Sequence, residues 1–205
     1  ADIAEALSPH IAGVVLPKLE SLDQLVRVRG LLAGNGMAEL RLLCGIESAS
    51  GVSRCEDILD SDMLGAYFGA EDYIADLGGV RTADNTEVLF ARSRVALACR
   101  LAGIPAVDQI VTNIDDAQRF RIDAAQGRSL GFKGKMCIHP AQVTVANEAF
   151  TPNRVEVDRA RRLLDAYQEG IAKGSAAIRF EGEMIDEPLA RQARLVVLSA
   201  TEANE

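Results

Sequence analysis

Two acidic side chains stand where apolar runs of strand length end. Glu47 closes the run at residues 40–46, and Asp72, with Glu71 beside it, follows the run at residues 63–68 and Gly69-Ala70. The two acids are 25 positions apart, about one βα unit. If both runs are parallel neighbours, both carboxylates emerge at the C-terminal ends of adjacent strands, the rim where barrel enzymes keep their chemistry. Two carboxylates with room for water and a substrate oxygen suit Mg²⁺, which takes few protein ligands and keeps its other positions open. A strand-terminal acid on its own is as readily a solvated surface group. The metal reading rests on the pair.

The elements that must position this pair follow from hydrophobic periodicity. Residues 2–7 read as the end of a helix. Residues 13–18 form a short apolar run closed by Pro17, which suits a buried parallel strand. Ser21 with Gln24 has the pattern of a capping box, and Leu22, Leu25, Val26 and Leu32 repeat at helical spacing. Strands are expected at 40–46 and 63–68, with a short helix at 53–59 between them. The clearest helix spans 85–101, with Val88, Leu89, Val95, Ala96 and Cys99 on one face and Gly103 then Pro105 at its end. A strand at 105–111, a helix from an Asp115 cap to a Gly127 stop, a strand at 131–138 and a helix begun by Pro140 complete the alternation. Residues 153–168 are helical again, ended by Gly170. An extended piece at 177–180, a loop holding Asp186 and a last helix from Glu187 follow.

Strand and helix alternate five times with no hairpin signal before residue 170, which means a parallel sheet. The strand ends, near Lys18, Glu47, Asp72, Gln109 and His139, are spaced by 25 to 37 positions. A (β/α)₈ barrel has a mean unit of about 31 residues. The expected fold class is therefore α/β, a TIM (β/α)₈-type barrel, with a doubly wound sheet as the alternative. No strand is followed by a glycine-rich phosphate turn, which weakens a dinucleotide-binding version. Five strands cannot close a barrel of eight, so three βα units are expected ahead of Ala1. On this reading residues 1–170 are units four to eight, and residues 171–205 are a C-terminal extension that packs on a neighbouring subunit.

A formal net charge of −8 without a Lys/Arg cluster argues against nucleic acid as a partner. No apolar run approaches the ~20 residues of a membrane span. Cys44, Cys55, Cys99 and Cys137 lack metal or redox spacing and read as reduced thiols of a cytoplasmic protein. Lys18 either lines the pocket or is solvated. His139, between a strand and Pro140, reads as a structural hydrogen-bonding residue before a general base. Arg81, Arg121, Lys133 and Lys135 are candidates for phosphate contacts, although Asp115, Asp116 and Asp123 are interleaved with them and a solvated surface is the equal alternative. Asp76 and the run 159–162 read as helix surface.

Five stretches resemble the citrate lyase β-subunit-like branch of the HpcH/HpaI aldolase family. They are Val14-Val-Leu-Pro-Lys-Leu-Glu20, Ile46-Glu-Ser-Ala-Ser-Gly51, Phe68-Gly-Ala-Glu-Asp-Tyr-Ile-Ala-Asp-Leu-Gly78 with Arg81-Thr82, Gly131-Phe-Lys-Gly-Lys-Met-Cys-Ile-His-Pro140, and Met184-Ile-Asp-Glu-Pro188. The resemblance implies a Mg²⁺-dependent carbon–carbon lyase. Its substrate would be a malyl-, citramalyl- or citryl-type acyl-CoA thioester, cleaved to an acetyl thioester and an α-keto acid. It implies Glu47 and Asp72 as metal ligands, and backbone N–H groups of Ala70, Glu71 and Asp72 as the seat of a substrate carboxylate. It also implies Asp186 as the acid that protonates the enolate, delivered to a neighbouring subunit in a homotrimer. The alternatives are a citrate lyase β subunit acting on a carrier-protein thioester beside two other subunits, and a non-catalytic truncated paralogue. In the family the enolate's Arg lies in the first three units, which this sequence does not contain.

Overall fold

Strands β1 (Gly13–Leu16), β2 (Arg41–Ile46), β3 (Gly65–Phe68), β4 (Ala106–Asp108) and β5 (Gly134–Lys135) form one parallel sheet in the order of the chain. The structure is a computed structural model and describes residues 11–202, so the helix end expected at residues 2–7 lies outside the described residues. Its contacts divide the chain into two compact units, Ala1–Ala146 and Asn147–Glu205, so the long helix after residue 153 groups with the C-terminal segments.

In the first unit each strand lies beside its chain neighbour, with no reversal of order. A doubly wound sheet would need one. The parallel α/β sheet is as expected, and the five strands do not themselves close a barrel. The short strand β3 is buried along its whole length, as a strand covered on both faces must be. Helices α1 (Leu22–Gly34), α2 (Ala49–Ile58), α3 (Ala70–Leu77), α4 (Leu89–Ala102), α5 (Ala117–Leu130) and α6 (Pro140–Phe150) follow the successive strands. Helix α2 turns Val52, Cys55 and Ile58 inward and packs against α4, whose Ala91, Val95, Ala98 and Cys99 are buried.

Several boundaries move for local reasons. Ser48, not a residue near 53, caps α2 by accepting from Gly51 N at 3.1 Å. Ser21 caps α1 as expected, but the Gln24 side chain reaches back to Glu20 N at 3.0 Å instead of to Ser21 N. Asp116, not Asp115, caps α5, which runs past Gly127 and stops at Gly131 with φ +102°. Glycine stands at 127 because a Cβ there would lie 2.2 Å from Asp108 Oδ2. In α4, Leu89 is exposed and Arg92 takes the buried position. All four cysteines are free, and burial pushes the Cys44 and Cys99 thiols up to about 12, so both stay protonated and unreactive at neutral pH.

In the second unit, α7 (Arg154–Ala172) begins with an Asn153–Glu156 capping box and buries Val157, Ala160, Leu163 and Tyr167. Ala160, Leu163 and Tyr167 pack with Ile185, Ala190 and Ala193. The extended piece is one arm of an antiparallel hairpin, β6 (Ile178–Phe180) and β7 (Glu183–Ile185), where a loop was expected. Its two turn residues, Glu181 (φ +50°) and Gly182 (φ +91°), both adopt the left-handed region that a two-residue hairpin loop requires. Arg159 and Arg162 are not simply solvated, since both pair with Glu181 and Arg159 also reaches Glu183. Helix α8 (Glu187–Glu202) closes the unit.

Candidate active site

Strands β2 and β3 are hydrogen-bonded neighbours with Ile46 level with Phe68, so the residues after them share one rim. Glu47 is the first residue beyond β2 and is only 7% exposed. Its Oε1 accepts from Lys18 N at 2.9 Å and from the Tyr67 hydroxyl at 3.2 Å. Burial first, then the Glu47 carboxylate, pushes the Tyr67 phenol up, so it remains a donor. Glycines on two sides make room for this carboxylate. A Cβ on Gly45 would lie 2.8 Å from Oε1, and one on Gly69 would lie 2.4 Å from Oε2. Gly69→Ala is expected to push Glu47 out of place at a cost of about 1–3 kcal/mol, as overpacking does. A urea melt reads the loss, and wild-type stability in the variant would contradict the close fit.

Asp72 lies in the first turn of α3 and is exposed. Its Oδ1 is 3.0 Å from Lys18 Nζ, and that carboxylate, by hydrogen bond and by charge, holds the ammonium above its ordinary range. One lysine thus ties both acids together, by its backbone and by its side chain. No side chain caps α3, whose N-cap residue is Gly69, so the N–H groups of buried Ala70 and of Glu71 and Asp72 face outward from a helix start. Such a start favours an anion. Asp76 is bound to Ala49 N at 2.8 Å and anchors α3 to the start of α2.

Among the described residues no group of three or more His, Cys, Asp or Glu is gathered for a metal. Glu47 and Asp72 fit Mg²⁺ nonetheless: two hard carboxylates, one seated in a space cleared of Cβ atoms and the other already holding an ammonium. One or two carboxylates with water and substrate oxygens are this ion's usual company. Next to the pair, a cleft of about 290 Å³ is lined by Glu71, Arg81, Thr82, Val111, Asn113 and Arg119.

Of the basic candidates only Arg81 lines this cleft. Arg81 is held by Glu71 at 2.9 Å, by Glu87 and by Asn85 at 3.3 Å, which makes it a clamp on α3. Lys133 is exposed at the opposite end of the sheet, where its N–H meets Ala106 O just before β5. Arg121 is exposed on α5. His139 accepts from Ala141 N at 3.2 Å and caps α6, the structural role. Asp186 accepts from Leu189 N at 3.4 Å, and its carbonyl from Ala190 N, so within its own unit it caps α8.

Lys135 is buried, and so is Asp123, so Lys135 is neither a phosphate contact nor part of a solvated surface. They belong to a neutral network of two cations and two acids behind the rim. Arg92 grips Asp108 with two bonds of 2.8 and 2.6 Å and reaches Asp123 at 3.0 Å. Lys135 Nζ donates to Asp108 at 3.2 Å, to Gln109 O at 2.7 Å and to Asp123. Asn85 and Gln109 donate to the second oxygen of Asp123 at 2.7 and 3.0 Å. The one signal of this network in the sequence is Arg92, which falls on the apolar stripe of α4 between Val88 and Val95.

The pattern of the HpcH/HpaI aldolase/citrate lyase family matches residues 1–140. A citrate lyase subunit beta-like protein of Deinococcus radiodurans is 46% identical over 197 residues, 96% of this chain and 69% of its own. Human mitochondrial citramalyl-CoA lyase is 29% identical, over 95% of this chain and 62% of its own. The crystal structure of protein CitE from Mycobacterium tuberculosis, in complex with magnesium, acetoacetate and coenzyme A, superposes with a TM-score of 0.74 at 28% identity, covering 95% of this chain and 80% of that one.

Proposed function

The chain belongs to the HpcH/HpaI aldolase/citrate lyase family, and from that premise we propose a Mg²⁺-dependent carbon–carbon lyase acting on a malyl-, citramalyl- or citryl-type acyl-CoA thioester. The observation that carries this reading is the meeting of Glu47 and Asp72 on one rim, bridged by Lys18, beside an uncapped helix start. A relative with bound magnesium, acetoacetate and coenzyme A favours the CoA thioester over a carrier-linked one.

Cleavage breaks the bond between the hydroxyl-bearing carbon and the carbon α to the thioester. The hydroxyl gives its proton to solvent water and its carbon becomes a carbonyl, and the electron pair of the broken bond passes to the thioester as an enolate. A divalent cation held by Glu47 and Asp72 would lower the hydroxyl's pKa and stabilise the oxygens that carry charge. The chain's own residues do the rest of the positioning. Tyr67 and the Lys18 N–H fix Glu47 in one orientation. The N–H groups at the start of α3 take the substrate's carboxylate. The cleft beside Glu71 gives the thioester arm its path.

Protonation of the enolate carbon belongs to Asp186 in this reading, presented to a neighbouring copy's rim in a trimer of (β/α)₈ barrels. Leaving its weak 3.4 Å capping bond to Leu189 N costs α8 little. Mixing Asp186→Ala with Glu47→Gln subunits is expected to recover part of the activity, because some sites then hold both intact residues. Failure of every mixture to exceed either variant, with subunit exchange confirmed by mass, would rule out the shared site.

The test of the function itself is cleavage of malyl-CoA and citramalyl-CoA, followed as acetyl-CoA and keto acid released. Product with Mg²⁺ and none with a chelator is expected. Product formation that a chelator leaves untouched would contradict the metal's role.

A further inference from the structure

Lys18 follows Pro17 and holds φ at +50°, a left-handed conformation that non-glycine residues seldom adopt. The strained conformation lets one residue touch both rim acids: its N–H meets Glu47 and its ammonium meets Asp72. The turn is pinned from behind as well. Lys18 O accepts from Gln24 Nε2 at 3.1 Å, and Gln24 Oε1 accepts from Glu20 N, so α1 fixes the point from which the side chain reaches out. Asp72, Glu47 and Asp76 all bear on this ammonium as negative charges. A lysine held in this way is not a free surface arm.

We propose that Lys18 is the site's own counter-cation, which competes with the divalent ion for Asp72 and must leave Asp72 Oδ1 when that ion enters. The inference rests on the lyase reading's assignment of Glu47 and Asp72 as the metal's ligands, and deepens it. An ammonium 3.0 Å from Oδ1 and a divalent ion on the same oxygen repel each other at close range, so both do not stay. Both side chains of the pair are more than half exposed, so the bond is worth little and exchanges readily. A monovalent ion brings no more charge than the tethered ammonium it would displace, whereas a divalent ion brings twice as much. Lys18 therefore makes the rim selective for divalent ions at a small cost in affinity.

Calorimetric titration of the apo protein with MgCl₂ tests this without reference to turnover. Lys18→Met keeps the stem and the backbone N–H, and is expected to tighten Mg²⁺ binding about three- to fivefold, the scale of an exposed ion pair. Lys18→Arg should stay near wild type. Arg54→Gln is the control: Arg54 reaches Glu20 O at 3.5 Å and bonds neither acid, and its removal should leave the affinity unchanged. Unchanged or weaker binding in Lys18→Met would overturn the inference. Equal tightening in Arg54→Gln would overturn it too, by reducing the effect to overall charge. Wild-type protein that binds no Mg²⁺ would remove the metal site itself, an outcome distinct from a wild-type site that ignores Lys18.

Discussion

Glu47→Gln is expected to lower thioester cleavage by on the order of 10²- to 10³-fold, the scale of losing one preorganised electrostatic contact at a reacting centre. The amide keeps the shape and one acceptor oxygen, so Tyr67 and Lys18 N still find a partner, but the negative charge that would face the cation is gone. Asp72→Asn should act in the same direction and less strongly, because Asp72 is exposed and water can replace part of its role. Circular dichroism and urea midpoints within error of wild type are expected for both, since Gln fills the buried seat of Glu47 with the same shape and an acceptor, and Asp72 is exposed. Rates of cleavage at saturating Mg²⁺ read the effect. Wild-type rates in Glu47→Gln would contradict the assignment.

Arg92→Met is expected to cost about 3–5 kcal/mol of stability, because removing one member of a buried charge group leaves its partners uncompensated. Asp108 and Asp123 would then share only Lys135. Against a total of about 5–15 kcal/mol for a domain, that brings the protein close to unfolding. Arg92→Lys should rescue little, since a lysine cannot reproduce the two-pronged grip on Asp108. The pH dependence follows from Asp123. Burial alone would raise its pKa, but Lys135 and Arg92 beside it, with the bonds it accepts, hold it below the usual carboxylate range. A lowered folded value means stability that is present above the unfolded value near 3.9 and lost as pH falls through the folded one. Urea midpoints measured from pH 6 down to pH 3 should therefore fall in wild type and fall less steeply in Arg92→Met. A midpoint unmoved by the substitution would show that the network is not a source of stability.

Strand ends were legible because apolar runs stop abruptly at Glu47 and at Gly69-Ala70, and because a parallel sheet buries such runs on both faces. The order of the strands followed from the alternation with helices, and the joint position of Glu47 and Asp72 followed from the order. What residue types alone hid was charge turned inward. Arg92, Asp108, Asp123 and Lys135 are residue types that rarely lie fully buried, and only mutual pairing makes their burial tolerable. Gly127 read as a helix stop because its real constraint, the approach of Asp108, comes from 19 residues away. The hairpin was hidden by a Glu-Gly turn in place of the more familiar Asn-Gly or Asp-Gly. The strain at Lys18 has no sequence signature beyond the preceding proline.

The central claim, that Glu47 and Asp72 together hold a divalent ion, is tested most directly by crystals grown or soaked with Mn²⁺ and read by anomalous diffraction. One peak is expected on the rim, within about 2.2 Å of a Glu47 oxygen and an Asp72 oxygen, with the Lys18 ammonium withdrawn from Asp72. A peak bound elsewhere, or none on this rim at Mn²⁺ concentrations that support cleavage, would contradict it.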